Sequence, residues 1–145
     1  GLMSTSHNLD KLIHFFESIS QENTVDLKQI YTEDVFFKDP FNEVNGIQHV
    51  ITIFDHMFHQ LDQPRFVVTT HVIQGDQAFL TWDFLFKMKR FNRNEQCIRG
   101  ASHIRFAADG RVSYHRDYWD VAEELYEKLP LIGSVMRGLK KMANN

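Results

Sequence analysis

The chain has 145 residues, a length typical of one domain that buries a core of its own. Hydrophobic residues make up 43% and charged residues 24%, as in ordinary globular proteins, and the formal net charge of -3 argues against a nucleic-acid partner. The single cysteine, Cys97, excludes an internal disulfide, and because neither a signal-peptide pattern nor a bilayer-length apolar run occurs, we expect a cytoplasmic protein without membrane contact.

Helical periodicity dominates the first part of the chain. Residues 1–8 are polar and we expect them to be disordered, with Asn8 or Asp10 capping a first helix. A short second helix follows Thr24, and a third runs over 47–61 until Pro64 ends it. Between the second and third helices, the pattern predicts a short strand over 35–38, a turn at 39–40 and a loop closed by Gly46.

Alternating and β-branched residues dominate the second part and predict four strands. Their ranges are 65–74, 77–91, 96–106 and 111–119, and Asp109-Gly110 is a strong hairpin signal. A charged amphipathic helix is predicted after Asp120, with a break near Pro130 and a second segment over 131–142 that packs on the domain or across a dimer. This order predicts an α+β fold in a single domain over 1–145, of which 121–145 is a helical extension.

Three segments of the sequence resemble a known superfamily. They are the phrase from Tyr31 to Pro40, the glycine that opens the third helix (Gly46), and the ending His115 to Asp120. Together they resemble the nuclear-transport-factor-2-like superfamily, and within it the SnoaL-like branch of small bacterial proteins. The resemblance implies a cone-shaped roll, in which N-terminal helices wrap a curved, mostly antiparallel sheet around a pocket. This superfamily includes isomerases, cyclases, epoxide hydrolases, dehydratases and non-catalytic binding modules, so the fold does not decide the function.

The resemblance also suggests candidate acids and bases. Asp117 matches the last-strand aspartate that serves as acid or base in SnoaL-like cyclases and limonene-type epoxide hydrolases, and His115 points the same way two residues earlier. Asp83 matches the second acid of the epoxide hydrolases, and Asp39 matches the catalytic aspartate of ketosteroid isomerases. Structural roles are equally compatible with the sequence: a turn cap for Asp39, a salt bridge for Asp117 and a satisfied core histidine for His115.

The sequence departs from the best-known enzymes of the superfamily at three positions. The oxyanion tyrosine of the steroid isomerases falls on or near Phe15, and their oxyanion aspartate falls on Ser102. The arginine that separates the two aspartates of the epoxide hydrolases falls on Thr81. The resemblance therefore does not imply steroid isomerisation or the water activation of that arginine-containing triad.

Aromatic residues are abundant, with 13 Phe, 4 Tyr and 2 Trp, and we expect several of them in the pocket. By strand alternation and the resemblance, we expect the face of Asp83, Asp117 and Trp119 to look inward. The opposite face of the long strand, with Leu80, Trp82 and Phe84, is then an outer apolar surface that pairs two copies as a homodimer. The predicted pocket residues are Phe15, Tyr31, Phe54, Phe58, Ser102 and Trp119.

These observations predict a small-molecule-binding protein of the SnoaL-like type. Its ligand is small and apolar, and its chemistry, where it has one, is acid–base catalysis without a cofactor. No metal is expected, because the eight histidines are spread over different elements and the pair His56 and His59 suits a solvated helix face. The alternative is a non-catalytic ligand-binding or protein-interaction module of the same fold.

Overall fold

The computed structural model describes residues 4–90, 93–128 and 130–143, and has a mixed α+β architecture. The helices are α1 (Thr5–Ser18), α2 (Leu27–Ile30), α3 (Ile47–Gln60), α4 (Val121–Glu124) and α5 (Pro130–Ala143), with 3-10 turns at Thr24–Asp26 and Tyr126–Lys128. The strands are β1 (Tyr31–Lys38), β2 (Glu43–Asn45), β3 (Leu61–Gln74), β4 (Gln77–Met88), β5 (Glu95–Phe106) and β6 (Val112–Tyr118). The α+β prediction is thereby confirmed. Within the described part of the chain, no helix is long and apolar enough to cross a membrane.

The six strands form one sheet in the order β2-β1-β6-β5-β4-β3. All neighbours are antiparallel except β1 and β6, which run parallel. The ladder between β3 and β4 is interrupted twice, and such irregularities bend and twist a strand. Helices α1 and α3 pack against the strands, and their apolar sides meet the sheet in a single core around Leu12, Phe54 and Ile104.

The N-terminus of α1 lies earlier than predicted. Ser4 is the N-cap, since its hydroxyl accepts a hydrogen bond from the backbone N–H of His7 at 3.1 Å. The Thr5 hydroxyl then donates to the carbonyl of Gly75 at 2.7 Å and ties the first turn to the β3–β4 hairpin. The prediction of disorder is therefore wrong for residues 5–8, and residues 1–3 lie outside the described part of the chain.

Several element bounds also differ from prediction. β1 begins at Tyr31 rather than at Val35, and the short β2 was not predicted. Pro64 does not end the third helix as predicted, since α3 ends at Gln60; it lies within β3, in the irregular stretch between Asp62 and Arg65. β3 is at the edge of the sheet, where a proline can lack its N–H without breaking a ladder. The predicted end of the long strand at Phe91 lies outside the described residues.

The assignment of faces on β4 was wrong. Leu80, Trp82 and Phe84 are buried against the helices, while Asp83 lies on the opposite, outer face. The register explains the error: Leu80 is paired with Ser102 in β5, and directly paired residues share a face of the sheet. The expectation had put these two residues on opposite faces. Hydrophobic burial decides the outcome, since the apolar side of β4 belongs next to the core.

The chain after β6 continues along the edge of β5. β6 ends opposite Ala101, and beyond that point the Glu124 carboxylate takes the place of a strand partner. It accepts hydrogen bonds from the backbone N–H of Arg99 at 2.7 Å and from its guanidinium at 2.9 Å. The side chain of Glu124 is only 4% exposed, and the Arg99 hydrogen bonds lower its pKa to about 2.

The predicted break near Pro130 is confirmed: α4 and a 3-10 turn precede it, and α5 begins at Pro130, in the first-turn position that proline favours. Two residues of its predicted apolar stripe, Val135 and Leu139, are exposed in the single chain. Packing on the domain, one of the two predicted roles of this helix, is therefore not seen at these two residues. Leu129, another member of the stripe, lies outside the described part of the chain.

Candidate functional site

A cavity with two adjoining lobes lies between the sheet and helices α1 and α3. The α1 lobe encloses about 30 Å³ and the α3 lobe about 130 Å³, and both are walled by Phe54, Phe66, Trp82 and Asp117. The remaining wall of the α1 lobe consists of Leu12, Ile13, Phe16, Val68, Leu80, Ser102, Ile104 and His115. The remaining wall of the α3 lobe consists of Phe37, Asp39, Ile53, Met57, Phe84, Ile98 and Trp119.

A chain of four hydrogen bonds, which we call the Asp117 network, runs along the cavity wall. The Tyr31 hydroxyl lies 2.6 Å from Nδ1 of His115, and Nε2 of that ring lies 2.6 Å from Oδ1 of Asp117. Ser102 donates to the same Oδ1 at 2.5 Å, and the Trp82 indole N–H donates to the Ser102 hydroxyl at 2.8 Å. Five side chains from four strands therefore form one network, in which two of them contact the same carboxylate oxygen of Asp117.

Strand pairing brings these residues together. His115 and Asp117 are two apart on β6 and so share its inner face. β1 pairs in parallel with β6, and from the start of β1 the hydroxyl of Tyr31 reaches His115. Asp117 lies directly opposite Ser102 of β5. Ser102 in turn neighbours β4, which supplies Trp82.

The hydrogen bonds determine where the protons lie in this network. Burial, and then the charge of Asp117, raise the pKa of Tyr31 well above its ordinary value, so its hydroxyl keeps its proton. The Tyr31 side chain is fully buried, and the acceptor that the structure gives its hydroxyl is Nδ1 of His115. A Tyr31 hydroxyl that donates to Nδ1 is compatible with an imidazole proton on Nε2 that is donated to Asp117.

Asp117 uses one of its two carboxylate oxygens. Oδ1 accepts from both His115 and Ser102, whereas none of the described residues donates to Oδ2. The side chain is 18% exposed and belongs to the wall of both lobes. A carboxylate held at one oxygen and open at the other can bind a donor or exchange a proton with a molecule in the cavity.

Aromatic rings hold the imidazole in place. The ring of His115 is 4.9 Å from that of Phe37 and about 6 Å from those of Phe16 and Tyr31, and the residue is 5% exposed. Such edge-to-face and tilted contacts restrict the rotation of the ring about its side-chain bonds. The imidazole can thus orient Asp117 with little freedom of its own.

Gly100 makes room for the Trp82 indole. A Cβ at this position would lie 2.4 Å from the Trp82 ring, closer than any non-bonded carbon pair tolerates. Gly100 is the cross-strand partner of Trp82, so the indole lies across a glycine and reaches Ser102. The absent side chain is therefore a requirement of the Asp117 network.

The structure separates the two other predicted acids. Asp39 belongs to the wall of the α3 lobe, but its Oδ1 also accepts the backbone N–H groups of Phe41 and Asn42 at 2.8 and 2.7 Å, which makes it a turn cap. Asp83 is on the outer face opposite Arg99, and its charge contributes to the raised pKa of Cys97. The predicted inward orientation of Asp83 is therefore wrong.

The predicted pocket residues fall into two groups. Phe54 lines both lobes, Ser102 lines the α1 lobe and Trp119 lines the α3 lobe. Tyr31 reaches the site through His115, whereas Phe15 and Phe58 belong to the core and its margin rather than to the cavity wall. Trp82, Phe16 and Phe66 are cavity residues that the sequence reasoning missed. A correct β4–β5 register would have identified Trp82, because its neighbour Leu80 faces Ser102.

The described residues that line the cavity include negative side chains but no fixed positive ones. Among the described residues, neither a lysine nor an arginine lines either lobe. No cluster of three or more potential metal ligands was found in the part of the chain that the structure describes. The arrangement can therefore hold an apolar molecule against aromatic rings and present it with a carboxylate oxygen.

Comparison with known proteins identifies related sequences and folds. The family model of the SnoaL-like domain matches residues 12–115, which includes His115 and ends before Asp117. No protein of curated function matches this sequence. Among solved structures, a hypothetical protein with a ketosteroid isomerase-like fold from Catenulispora acidiphila, in complex with trimethylamine, is similar with a TM-score of 0.71 and 12% identity, covering 84% of this chain and 92% of that one.

Two other solved structures are similar over most of their length. An NTF2-like protein of unknown function from Burkholderia pseudomallei has a TM-score of 0.70 and 16% identity, covering 83% of this chain and 95% of that one. An LEH-like epoxide hydrolase from M. tuberculosis has a TM-score of 0.66 and 13% identity, covering 96% of this chain and 94% of that one. At these identities the similarity establishes the fold and leaves the chemistry to the site itself.

Proposed function

The chain belongs to the SnoaL-like family, and we propose that it binds a small apolar molecule in the two-lobed cavity, where Asp117 exchanges a proton with it without a cofactor. The observation that carries the proposal is the carboxylate of Asp117, which lines both lobes and is held at Oδ1 by two donors, while none of the described residues donates to Oδ2. In this scheme Asp117 is the acid or base. His115 is a positioning residue, because both of its ring nitrogens are engaged by Tyr31 and Asp117.

The other predicted acids have lesser parts in this proposal. Asp39 contributes charge to the α3 lobe while its oxygens hold the turn after β1. Asp83 has no part in the chemistry, since it lies on the outer face of the sheet. A single acid–base residue supports proton exchange with the ligand better than a mechanism that needs two carboxylates on opposite sides of it.

Tryptophan fluorescence tests the binding half of the proposal. The chain has two tryptophans, Trp82 and Trp119, and both line the α3 lobe, so a ligand in the cavity should change their emission. We expect saturable changes with small apolar compounds of about six non-hydrogen atoms, since a cavity of roughly 150 Å³ holds benzene. The absence of any change across such a panel would refute the pocket.

Deuterium exchange tests the catalytic half. A bound ligand should exchange a weakly acidic proton with D2O faster in the wild-type protein than with Asp117→Asn, by about 100-fold or more. Asp83→Asn is the matched control, because it removes a carboxylate from the same sheet, but on the outer face, away from the cavity. If binding persists and exchange is the same in all three proteins, the second candidate, a non-catalytic binding module, is correct.

We also propose that two copies pair through the outer face of the sheet. This face differs from the predicted one: it carries Phe79 and Val72, which are 44% and 65% exposed, and a stack of Phe79 on His103 at 4.3 Å. Exposed aromatic surface of this kind is typical of interfaces. Sedimentation should give a dimer that Phe79→Glu dissociates, whereas Val25→Glu, at an exposed residue away from the sheet, leaves it intact.

Cytoplasmic location and the lack of a nucleic-acid partner remain parts of this proposal. They are supported by the single cysteine and by the net charge of -3. Cell fractionation checks the first, and a filter-binding assay at low salt checks the second.

A further inference from the structure

The charge of the α3 lobe is unbalanced. Its wall includes the carboxylates of Asp39 and Asp117, and among the described residues no lysine or arginine lines it. Separated charges in an apolar cavity interact more strongly than in water, so two uncompensated carboxylates make the lobe favourable for a cation and unfavourable for an anion.

His115 offers Asp117 no fixed positive charge when the buried Tyr31 hydroxyl is the donor to Nδ1. In that arrangement the imidazole has a single proton, on Nε2. A doubly protonated ring would put two donors face to face at the 2.6 Å contact with Tyr31, unless the hydroxyl turned its own hydrogen towards another acceptor. The hydrogen-bond pattern therefore leaves the negative charge of Asp117 to be balanced from within the cavity.

The donors around Asp117 are already used. The hydroxyl of Ser102 is donated to Asp117, the indole N–H of Trp82 to Ser102, and the hydroxyl of Tyr31 to His115. A ligand that brings its own donor to Asp117, as a protonated amine does, needs none of these three.

The remaining wall of the α3 lobe suits a cation as well. It is largely aromatic, and the faces of aromatic rings attract ammonium groups, most strongly where water is excluded. The rings are Phe37, Phe54, Phe66, Trp82, Phe84 and Trp119. Aromatic rings combined with carboxylates are the chemistry that recognises alkylated amines, because the rings take the alkyl groups and the carboxylate takes the charge.

We propose that the ligand of this cavity is a small alkylammonium cation, seated among the rings of the α3 lobe with its nitrogen beside Oδ2 of Asp117. The inference rests on the proposed function, because it concerns the molecule in the same cavity, and it changes the wholly apolar ligand to one with apolar alkyl groups and a charged nitrogen. The nitrogen of a protonated tertiary amine donates its one N–H to Oδ2, the oxygen to which no described residue donates.

A pair of molecules of equal shape tests the charge directly. Protonated N,N-dimethylethanolamine and 3-methyl-1-butanol each have six non-hydrogen atoms and differ in having N–H⁺ where the other has C–H. We expect isothermal titration at neutral pH to give at least about tenfold tighter binding for the amine, from the combined ring and carboxylate contacts. In Asp117→Asn the preference should fall towards unity, and in the matched control Asp83→Asn it should persist.

Each outcome separates this inference from the pocket itself. Equal binding of both molecules, or a preference for the alcohol, overturns the cationic ligand and leaves the proposed pocket standing. Binding of neither molecule, with no compound of the apolar panel bound either, overturns both. If Asp117→Asn does not fold, Trp119→Leu provides the test, because it removes a cavity ring outside the Asp117 network. This variant should reduce the preference for the amine at least threefold. An unchanged preference counts against the inference.

Discussion

Nε2 of His115 lies 2.6 Å from Oδ1 of Asp117, while Nδ1 of the same ring lies 2.6 Å from the hydroxyl of Tyr31. The histidine is therefore held between the hydroxyl of a buried tyrosine and a carboxylate at the cavity. The arrangement accounts for a polar group deep in an aromatic core: every hydrogen in it has an acceptor. It also leaves one oxygen, Oδ2 of Asp117, for the ligand.

Tyr31→Phe should allow the proton of the His115 imidazole to occupy either ring nitrogen. Removing the hydroxyl leaves Nδ1 without its donor, and we expect a loss of about 1–3 kcal/mol in the free energy of unfolding. The ¹⁵N NMR signals of the imidazole give the decisive measurement, because in the wild-type protein they should report a proton on Nε2 alone. A ring that stays in this single tautomer in Tyr31→Phe would contradict the role assigned to the tyrosine.

Gly100→Ala should displace the Trp82 indole, because the added methyl group would collide with the ring. We expect destabilisation of about 1–3 kcal/mol and weaker ligand binding, since the indole would lose its bond to Ser102. Thermal unfolding and the fluorescence titration check the two effects. Gly138→Ala is the matched control, because an added Cβ there meets no atom within 4 Å, and it should leave both unchanged or slightly raise stability.

Glu124→Gln should remove a pH-dependent part of the stability. The Arg99 hydrogen bonds lower the pKa of Glu124 to about 2 from its ordinary value of 4.5, so its contribution is complete above pH 4.5 and disappears as pH falls towards 2. Denaturant titrations should show the largest difference between wild type and variant above pH 5 and a shrinking difference in acid. Glu123→Gln, at an exposed ion pair with Arg99, should give little difference at any pH. A Glu124 effect that does not depend on pH would contradict the pairing.

Asp39→Ala should destabilise the protein without abolishing proton exchange. The variant loses the acceptor for two backbone N–H groups of the turn, those of Phe41 and Asn42, which we expect to cost about 1–2 kcal/mol. Asp39→Asn keeps an acceptor at this position and should recover most of that loss. Loss of deuterium exchange in Asp39→Asn, with binding and folding intact, would instead identify Asp39 as a second acid.

Much of the fold follows from local patterns in the sequence. The helical spacing of Leu9, Leu12 and Phe16 predicted α1, and the turn signal at Asp109-Gly110 predicted the join between β5 and β6. The errors lie where one local rule outweighed another. The cap is Ser4 rather than the predicted Asn8 or Asp10, and an edge position allowed Pro64 to lie within a strand.

The site was predictable only in part, because residues on one strand are easier to relate than residues on different strands. The spacing of His115 and Asp117 puts them on one face whatever the register. The relation of Trp82 to Ser102 depends on the pairing of β4 with β5, which the sequence does not determine, and a one-residue slip reverses a face. That slip placed Asp83 in the cavity and Trp82 outside it. The carboxylate of Glu124, which serves as the partner of a strand edge, has no sequence signal of its own.

The binding of a small molecule in the cavity beside Asp117 is tested most directly by an NMR titration that follows the two indole N–H signals. Trp82 and Trp119 both line the α3 lobe, so N,N-dimethylethanolamine should shift both indole signals with one dissociation constant while amides of the outer sheet face, such as that of Phe79, stay in place. Indole signals that do not move while outer-face amides do would contradict the account.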